Sequence, residues 1–383
     1  MKRTAALSLL YFLLLGASGA WVPYLSLFLE SRGMDEAGLG TVMIVMGTAR
    51  VVAGPLWGLA ADALRRDGAL LAIGCGLTAV VGTAVVISPV ALLLPLLVFH
   101  ALLRAPLGTL LDAAAVRSLT SEGRPEAYGR LRLWGSIGYL VLAGLAGLLA
   151  SSGLSLVLAL AIATWAITAL LATRLDIGDP SPPTNPLPAF VALLHTPRLA
   201  LLLVAATLHG TALAAYDTLY AVHLTASGIS AAWTGAAIGV GVLTEVVVLL
   251  KAPYLLRVLG PWTLVALSMA AGAIRWSATS SQDDAMTLTL IQASHGVVFG
   301  AYWIGMVEAA RRLTPDVLRA SVQALLVTTT YGVGAALCGL FAYEILPVGG
   351  TERLFEVCAM LSAAGAALTW IARPRVSFGP AAK

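Results

Sequence analysis

The chain has 383 residues, 59% of them hydrophobic and only 11% charged, and its mean hydropathy is +0.90. Soluble domains carry about 25% charged residues, so this composition excludes a soluble globular protein. The net charge of +4 comes from basic residues scattered over short segments without aromatic interleaving, which excludes nucleic-acid binding as its cause.

A membrane-crossing helix needs about 20 apolar residues. The chain divides into twelve such stretches, at 6–29, 38–60, 69–88, 91–113, 132–151, 154–173, 199–223, 232–254, 262–280, 286–310, 319–344 and 351–372. The first opens with Lys2-Arg3 and passes through Gly16-Ala17-Ser18-Gly19-Ala20, which imitates a cleaved secretory signal. Its apolar run continues through Trp21, Val22, Tyr24 and Leu25 to Leu29, so it is read as a retained first span. Trp21 and Tyr24 flank Pro23 and suit either a substrate-facing surface or an interfacial aromatic belt.

The second span carries Arg50 near its middle, with Trp57 on the same face. A charge at that depth costs about 3 kcal/mol on insertion scales, so such residues face a polar cavity and a partner. Arg50 either balances acidic groups of the first half, Asp112 above all, or holds an anionic substrate. His100 and Arg104 in the fourth span are pore-facing or paired locally, and Asp112 stands at that span's end. Further on, Asp217, Glu245, Arg275 and His295 fall inside or at the ends of apolar runs. Cys75, Cys338 and Cys358 are odd in number and lie in apolar stretches, as packing residues rather than a disulfide or metal framework.

Basic residues set the topology. Eighteen of 23 fall on the side that holds both termini, two (Arg32 and Arg353) on the other, and three (Arg50, Arg104 and Arg275) within spans. The positive-inside rule therefore places both termini in the cytoplasm. The one shift in composition is the segment 176–197, with prolines at 180, 182, 183, 186, 188 and 197, which reads as an extended linker. It divides the chain into an N-terminal six-helix bundle at 1–175 and a C-terminal one at 198–383.

That plan resembles the major facilitator fold, an all-α membrane architecture in which two six-helix halves flank a central cavity. After the second span, Gly58-Leu-Ala-Ala-Asp62-Ala-Leu-Arg65-Arg66 resembles the superfamily's cytoplasmic latch signature, without a basic residue directly after the Asp and without the second Gly. The second half keeps only Arg257-Val-Leu-Gly260 of it. A narrower likeness appears at Tyr128-Gly-Arg130-Leu-Arg132-Leu-Trp134-Gly-Ser-Ile-Gly138-Tyr139 and at Glu245, Ala252-Pro253, Arg275-Trp276 and His295. These residues, with His209, Tyr216, Tyr220 and 239–245, resemble the phenylpropionate-permease-type transporters and the lactose-permease-like proton symporters.

The resemblance implies roles. Arg132 would bind substrate oxygens through its planar fork, with Asp112 as its carboxylate partner. Tyr139, seven residues on and on the same face, would offer a platform for a ring. Arg130 and Arg132 equally suit interfacial anchors. Glu245, Arg275 and His295 follow the order of the symporters' coupling residues. Glu245 is flanked by Val242-Leu243-Thr244 and Val246-Val247-Val248, apolar surroundings that penalise a charged carboxyl. It is read as a proton carrier paired reversibly with Arg275, or as half of a static buried pair. His295 is a titratable group or a hydrogen-bonded strut between helices. Where the sugar symporters carry an acid three residues past the His, this chain has Val298, and Glu308 is too far along to replace it. The proton site then falls to Glu245, Asp112 or Asp217. Asp217, with Tyr216, Tyr220 and His209 on one span, either tunes specificity or lines the cavity without a role.

No phosphate-binding glycine loop, HExxH or Cys/His metal spacing is present, so the energy source is an ion gradient rather than ATP. The expectation is a monomeric secondary transporter in a bacterial-type inner membrane, without cofactor or metal. It would import a small organic solute with protons by alternating access: an aromatic carboxylate first, then nucleosides or sugars. A proton-coupled exporter of drugs or metabolites is the main competitor, followed by a non-transporting sensor and a membrane-embedded enzyme.

Overall fold

The computed structural model describes residues 3–64, 67–124, 127–174, 191, 195–315 and 318–374, without the side chains of 3, 54–56, 58–64, 67 and 320–321. The latch residues Gly58, Asp62, Arg65 and Arg66 lie outside the described side chains. The predicted linker at 176–197 falls almost entirely outside the described residues.

Lipid offers no hydrogen bonds to a backbone, so a chain this apolar satisfies its N–H and C=O groups inside helices. Helices α1 (Arg3–Ser31), α2 (Glu36–Leu64) and α3 (Asp67–Ile87) cross in turn. The fourth crossing is broken: α4 (Leu93–Arg104) stops and α5 (Leu107–Ser121) restarts behind Pro106, which has no N–H to continue the ladder. It runs from Val90 to Ser121 rather than ending near 113, so Asp112 lies in the second turn of α5 and not at the end of the span. Helices α6 (Tyr128–Ala150) and α7 (Leu154–Ala172) complete the first half.

The second half opens with α8 (Pro197–Ala226), α9 (Ala232–Leu250) and α10 (Ala252–Ser280). Inside α10, Gly260 takes φ 70° and ψ 161°, a conformation only glycine adopts freely, and Pro261 follows. The remnant Arg257–Gly260 is therefore the corner before the ninth crossing. The tenth crossing is α11 (Ala285–Ile291), a 3₁₀ turn at Gln292–Ser294, a π segment at Gly296–Ala301 and α12 (Tyr302–Leu313). Asp284 caps it by accepting the Thr287 N–H at 2.7 Å. Then α13 (Arg319–Val327), a second π segment at Thr328–Val333 and α14 (Gly334–Ala372) follow.

The apolar helical stretch Val322–Ala372 has 51 residues, far more than one crossing needs. It turns at Gly350, with φ 59° and ψ −166°, three residues after Pro347. These are two crossings, and the described helices make the twelve expected from the sequence.

The halves meet most closely on the side opposite the termini. There α2 lies along α14 with glycine at each approach: Gly40 against the Tyr343 backbone, Gly47 against Ala336 and Gly339 against Ile44. A second seam joins α6 to α9, where a Cβ on Gly147 would stand 3.1 Å from Gly235 Cα. Small residues let backbones touch where lipid supplies no hydrophobic drive. Towards the termini, among the described residues, α5 packs on α1, α3 and α6, and α12 on α8, α10 and α13, each chiefly within its own half. On the closed side Arg32 donates to the Val86 and Ser88 carbonyls, both at 2.8 Å, capping α3.

Gly47→Leu should separate α2 from α14 and lower stability by about 1–3 kcal/mol, the usual cost of overpacking, seen as a lower melting temperature in detergent. An unchanged melting temperature would contradict the seam.

Candidate functional site

Arg275 is the organising group of the second half. It is 2% exposed, so each of its N–H groups needs an acceptor or an aromatic face. One terminal nitrogen lies 3.0 Å from His295 Nδ1 and the other donates to Gln292 Oε1. The guanidinium carbon sits 4.3 Å from the Tyr216 ring centre and 4.5 Å from that of Trp276. Gln292 in turn donates to the Tyr220 hydroxyl at 2.9 Å and to the Leu288 carbonyl at 2.8 Å.

These contacts fix the state of His295. A guanidinium has no acceptor, so Nδ1 accepts and the imidazole is a neutral ring protonated at Nε2. That nitrogen lies 3.8 Å from Glu245 Oε2. The expected pairing of Glu245 with Arg275 is therefore corrected: the imidazole stands between them, forming a series Arg275–His295–Glu245. Local backbone geometry explains the placement. His295 falls between the 3₁₀ turn and the π segment, where the register of the tenth crossing shifts. Its ring stacks on Phe299 at 5.3 Å.

In the first half, Asp112 accepts from the Tyr11 hydroxyl at 2.5 Å, and Arg132 lies over the same ring at 5.9 Å. Tyr11 thus stands where a direct Arg132–Asp112 pair was expected. Arg130 is exposed, as an interfacial anchor would be. Arg50 donates to the Tyr331 carbonyl at 3.2 Å, across the halves and onto the second π segment. Its nearest acidic influence is Asp217 of α8 rather than Asp112, because α2 faces the second half at this depth. The field of Asp217 also reaches Arg275 and Arg104, without a hydrogen bond or ion pair to any of the three among the described residues.

Several other residues take places that the sequence left open. His100 is fully buried in the first half, stacked on Trp21 at 4.3 Å and edge-on to Trp165 at 5.1 Å. Trp21 and Tyr24 are buried rather than interfacial, and the Tyr24 hydroxyl reaches the Ala143 carbonyl at 3.4 Å. His209 turns away from Asp217 to bridge the Ser362 hydroxyl at 3.2 Å and the Val298 carbonyl at 3.0 Å. At Val298 the backbone oxygen thus holds a histidine where the sugar symporters carry an acid. Trp57 donates to the Leu102 carbonyl at 3.0 Å and braces α2 on α4.

A narrow cleft lies where the halves meet, lined by Pro23 and Tyr139 from the first half and Tyr216, Asp217, Tyr220, Thr234 and Ile238 from the second. The sequence-predicted Tyr139, Tyr216, Asp217 and Tyr220 converge here. Gln292 and Tyr11 were not anticipated. Their signals were an amide three residues before His295 and a phenol on the first span, both ordinary in an apolar helix when read alone.

With this arrangement in view, the sequence matches the MFS_1 like family over residues 4–356. The chain belongs to that family. It is 26% identical over 368 residues to a maltose permease of Geobacillus stearothermophilus, covering 94% of this chain and 92% of that one. It is also 26% identical over 375 residues to a probable 3-phenylpropionic acid transporter of Escherichia coli strain K12, covering 94% and 96%. A crystal structure of a mutant of the nucleoside transporter NupG superposes with a TM-score of 0.86 at 19% identity, over 97% of this chain and 100% of that one. This member of the family is a multi-pass membrane transporter of small molecules and not an enzyme.

Gln292→Ala removes the acceptor of one Arg275 nitrogen in a dry environment and should cost about 1–3 kcal/mol. Thermal melting of the purified variant measures it. A loss no larger than that of Tyr220→Phe would show that Gln292 does not hold the guanidinium.

Proposed function

We propose that this transporter couples proton entry to import of a small organic solute, with an aromatic carboxylate favoured and a nucleoside or sugar as the next choices. The observation that carries this is the contact series Arg275–His295–Glu245, which begins beside the tyrosine-lined cleft and ends on a carboxyl. A group coupled to a proton must exist in two states with different affinity for it. Protonating His295 at Nδ1 would set N–H against the N–H of Arg275 and break that contact, so moving a proton along the series rearranges the wall behind the cleft.

Orientation follows from charge. The excess of basic residues on the side of the termini supports that side as the cytoplasmic one, in a bacterial-type inner membrane. The glycine seams then close the outer side, and the state described is inward-facing. In this reading residues 1–175 and 198–383 rock as two bodies about 176–197 within one monomer, and Gly58, Asp62, Arg65 and Arg66 latch the cytoplasmic side. Tyr139, Tyr216 and Tyr220 would hold an aromatic ring, and Arg50 and Arg132 would attract acidic groups. The relative described as a probable 3-phenylpropionic acid transporter fits an aromatic acid, and the nucleoside transporter fits a ring of similar size.

Glu245→Gln should reduce accumulation driven by an inward proton gradient by about tenfold or more, within the usual range of coupling energies, while solute exchange across proteoliposomes at equal pH stays near wild type. Equal loss of both would make Glu245 structural. Accumulation driven only by an outward gradient would identify an exporter.

A further inference from the structure

Tyr11 is a buried polar group that the coupling series leaves out. A guanidinium and a carboxylate within reach of one another favour a two-pronged ion pair, and Arg132 of α6 and Asp112 of α5 sit around the same phenol. Yet the pair does not form. The Tyr11 hydroxyl, from α1, donates to Asp112 at 2.5 Å, and its ring lies 5.9 Å from the Arg132 guanidinium carbon. That distance is at the outer limit of about 6 Å for a cation on an aromatic face, so the ring is a weak partner. Among the described residues Arg132 makes no hydrogen bond and no ion pair, although a guanidinium carries five N–H donors.

Glycine fixes this arrangement. A Cβ on Gly138 would strike the Phe12 carbonyl, and one on Gly16 would stand 3.0 Å from the Gly138 carbonyl oxygen, so α1 and α6 touch backbone to backbone beside Tyr11. A Cβ on Gly135 would stand 2.8 Å from a terminal nitrogen of Arg132. The guanidinium therefore lies along its own helix in the direction of Tyr139, which lines the cleft. From 132 to 139 the helix rises about 10 Å, and the arginine spans part of it, leaving room for a ring with a short acid-bearing tail. Arg132 and Asp112 are both half-buried, and the charge of Arg132 reaches Glu245 and Tyr331 across the gap between the halves. Tyr128, one turn before Arg132, stands beside Asp112 as a second phenol.

We infer that Tyr11 is a positioning residue that holds Asp112 off Arg132 and so keeps the arginine's fork open for the carboxylate of the substrate. The inference rests on the reading of the protein as a transporter of organic acids and adds to it a residue that touches no substrate. A carboxylate paired with Arg132 would have to be displaced by every arriving acid. With its lone pairs taken up by a phenol, Asp112 competes only weakly, while the guanidinium stays charged, oriented and short of acceptors. The ring does the separating and the hydroxyl does the holding, so the two functions of Tyr11 can be tested apart.

Binding of 3-phenylpropionate at neutral pH, where it is an anion, is measured by calorimetry on the full chain in detergent. Tyr11→Phe keeps the ring and removes the hydroxyl, which releases Asp112 towards Arg132. Binding should weaken by about fivefold or more, the competition expected from a half-buried ion pair. Adding Asp112→Asn to Tyr11→Phe removes the competitor and should restore wild-type affinity, which a merely structural tyrosine would not allow. Asp112→Asn alone should bind at least as tightly as wild type, and it keeps the test decisive where Tyr11→Phe does not fold. Arg132→Gln should weaken binding by about tenfold or more, the scale of a lost charged hydrogen bond. Unchanged affinity in Tyr11→Phe or in Arg132→Gln, no restoration in the double variant, or weaker binding in Asp112→Asn alone overturns the role of Tyr11 while organic-acid transport stands. Wild-type protein that does not bind 3-phenylpropionate overturns both.

Discussion

Everything in the central region depends on how buried guanidinium groups find acceptors in a medium that supplies none. Arg50, Arg104, Arg132 and Arg275 occupy helices that are otherwise apolar, against three acids at comparable depth: Asp112, Asp217 and Glu245. Positive charge exceeds negative charge, so the arginines draw on whatever else can accept. Arg275 uses a histidine, an amide and two aromatic faces. Arg132 uses the face of a tyrosine whose hydroxyl is already committed to Asp112. Arg50 uses a backbone carbonyl of a π segment, where the normal helical ladder is interrupted.

Of these, the Arg50 contact joins the two halves, from α2 to the second π segment. Opposite the termini, glycine lets α2 meet α14 and α6 meet α9 backbone to backbone. The first contact is polar, a guanidinium on a carbonyl. The second is steric. A molecule built this way has two seams of different chemistry on either side of one cleft, which is the requirement for opening one while closing the other. The π segments belong to the same design. They fall at His295 and Tyr331, where a shifted register presents a side chain and frees a carbonyl for a partner in another helix.

Twelve crossings and the converging Tyr139, Tyr216, Asp217 and Tyr220 were legible in the sequence because hydropathy and helical periodicity act locally. The pairings were not. Whether Arg50 faces Asp112 or Asp217 depends on which helix of the other half lies beside α2, and residue spacing carries no record of that. The Glu245–Arg275 pair failed for a related reason: His295 was counted as a third member of the set, whereas its position between the other two is a three-dimensional fact. Asp112 was misplaced because Pro106 lets the fourth span break and continue, so a shorter apolar run seemed to end there. Tyr11 and Gln292 carry no local signal, since a lone phenol or amide in an apolar helix is ordinary until its partner is known.

The central claim is that the cleft is a pivot between a steric seam on one side and separated helices on the other. Pairs of spin labels measure it most directly: one pair at positions 120 and 312 on the side of the termini, another at 90 and 348 on the opposite side, with distances recorded by double electron–electron resonance before and after addition of 3-phenylpropionate. The account predicts that the ligand shortens the 120–312 distance and lengthens the 90–348 distance within the same sample. Distances that stay fixed on both sides while the ligand binds, or that shorten on both, would contradict it.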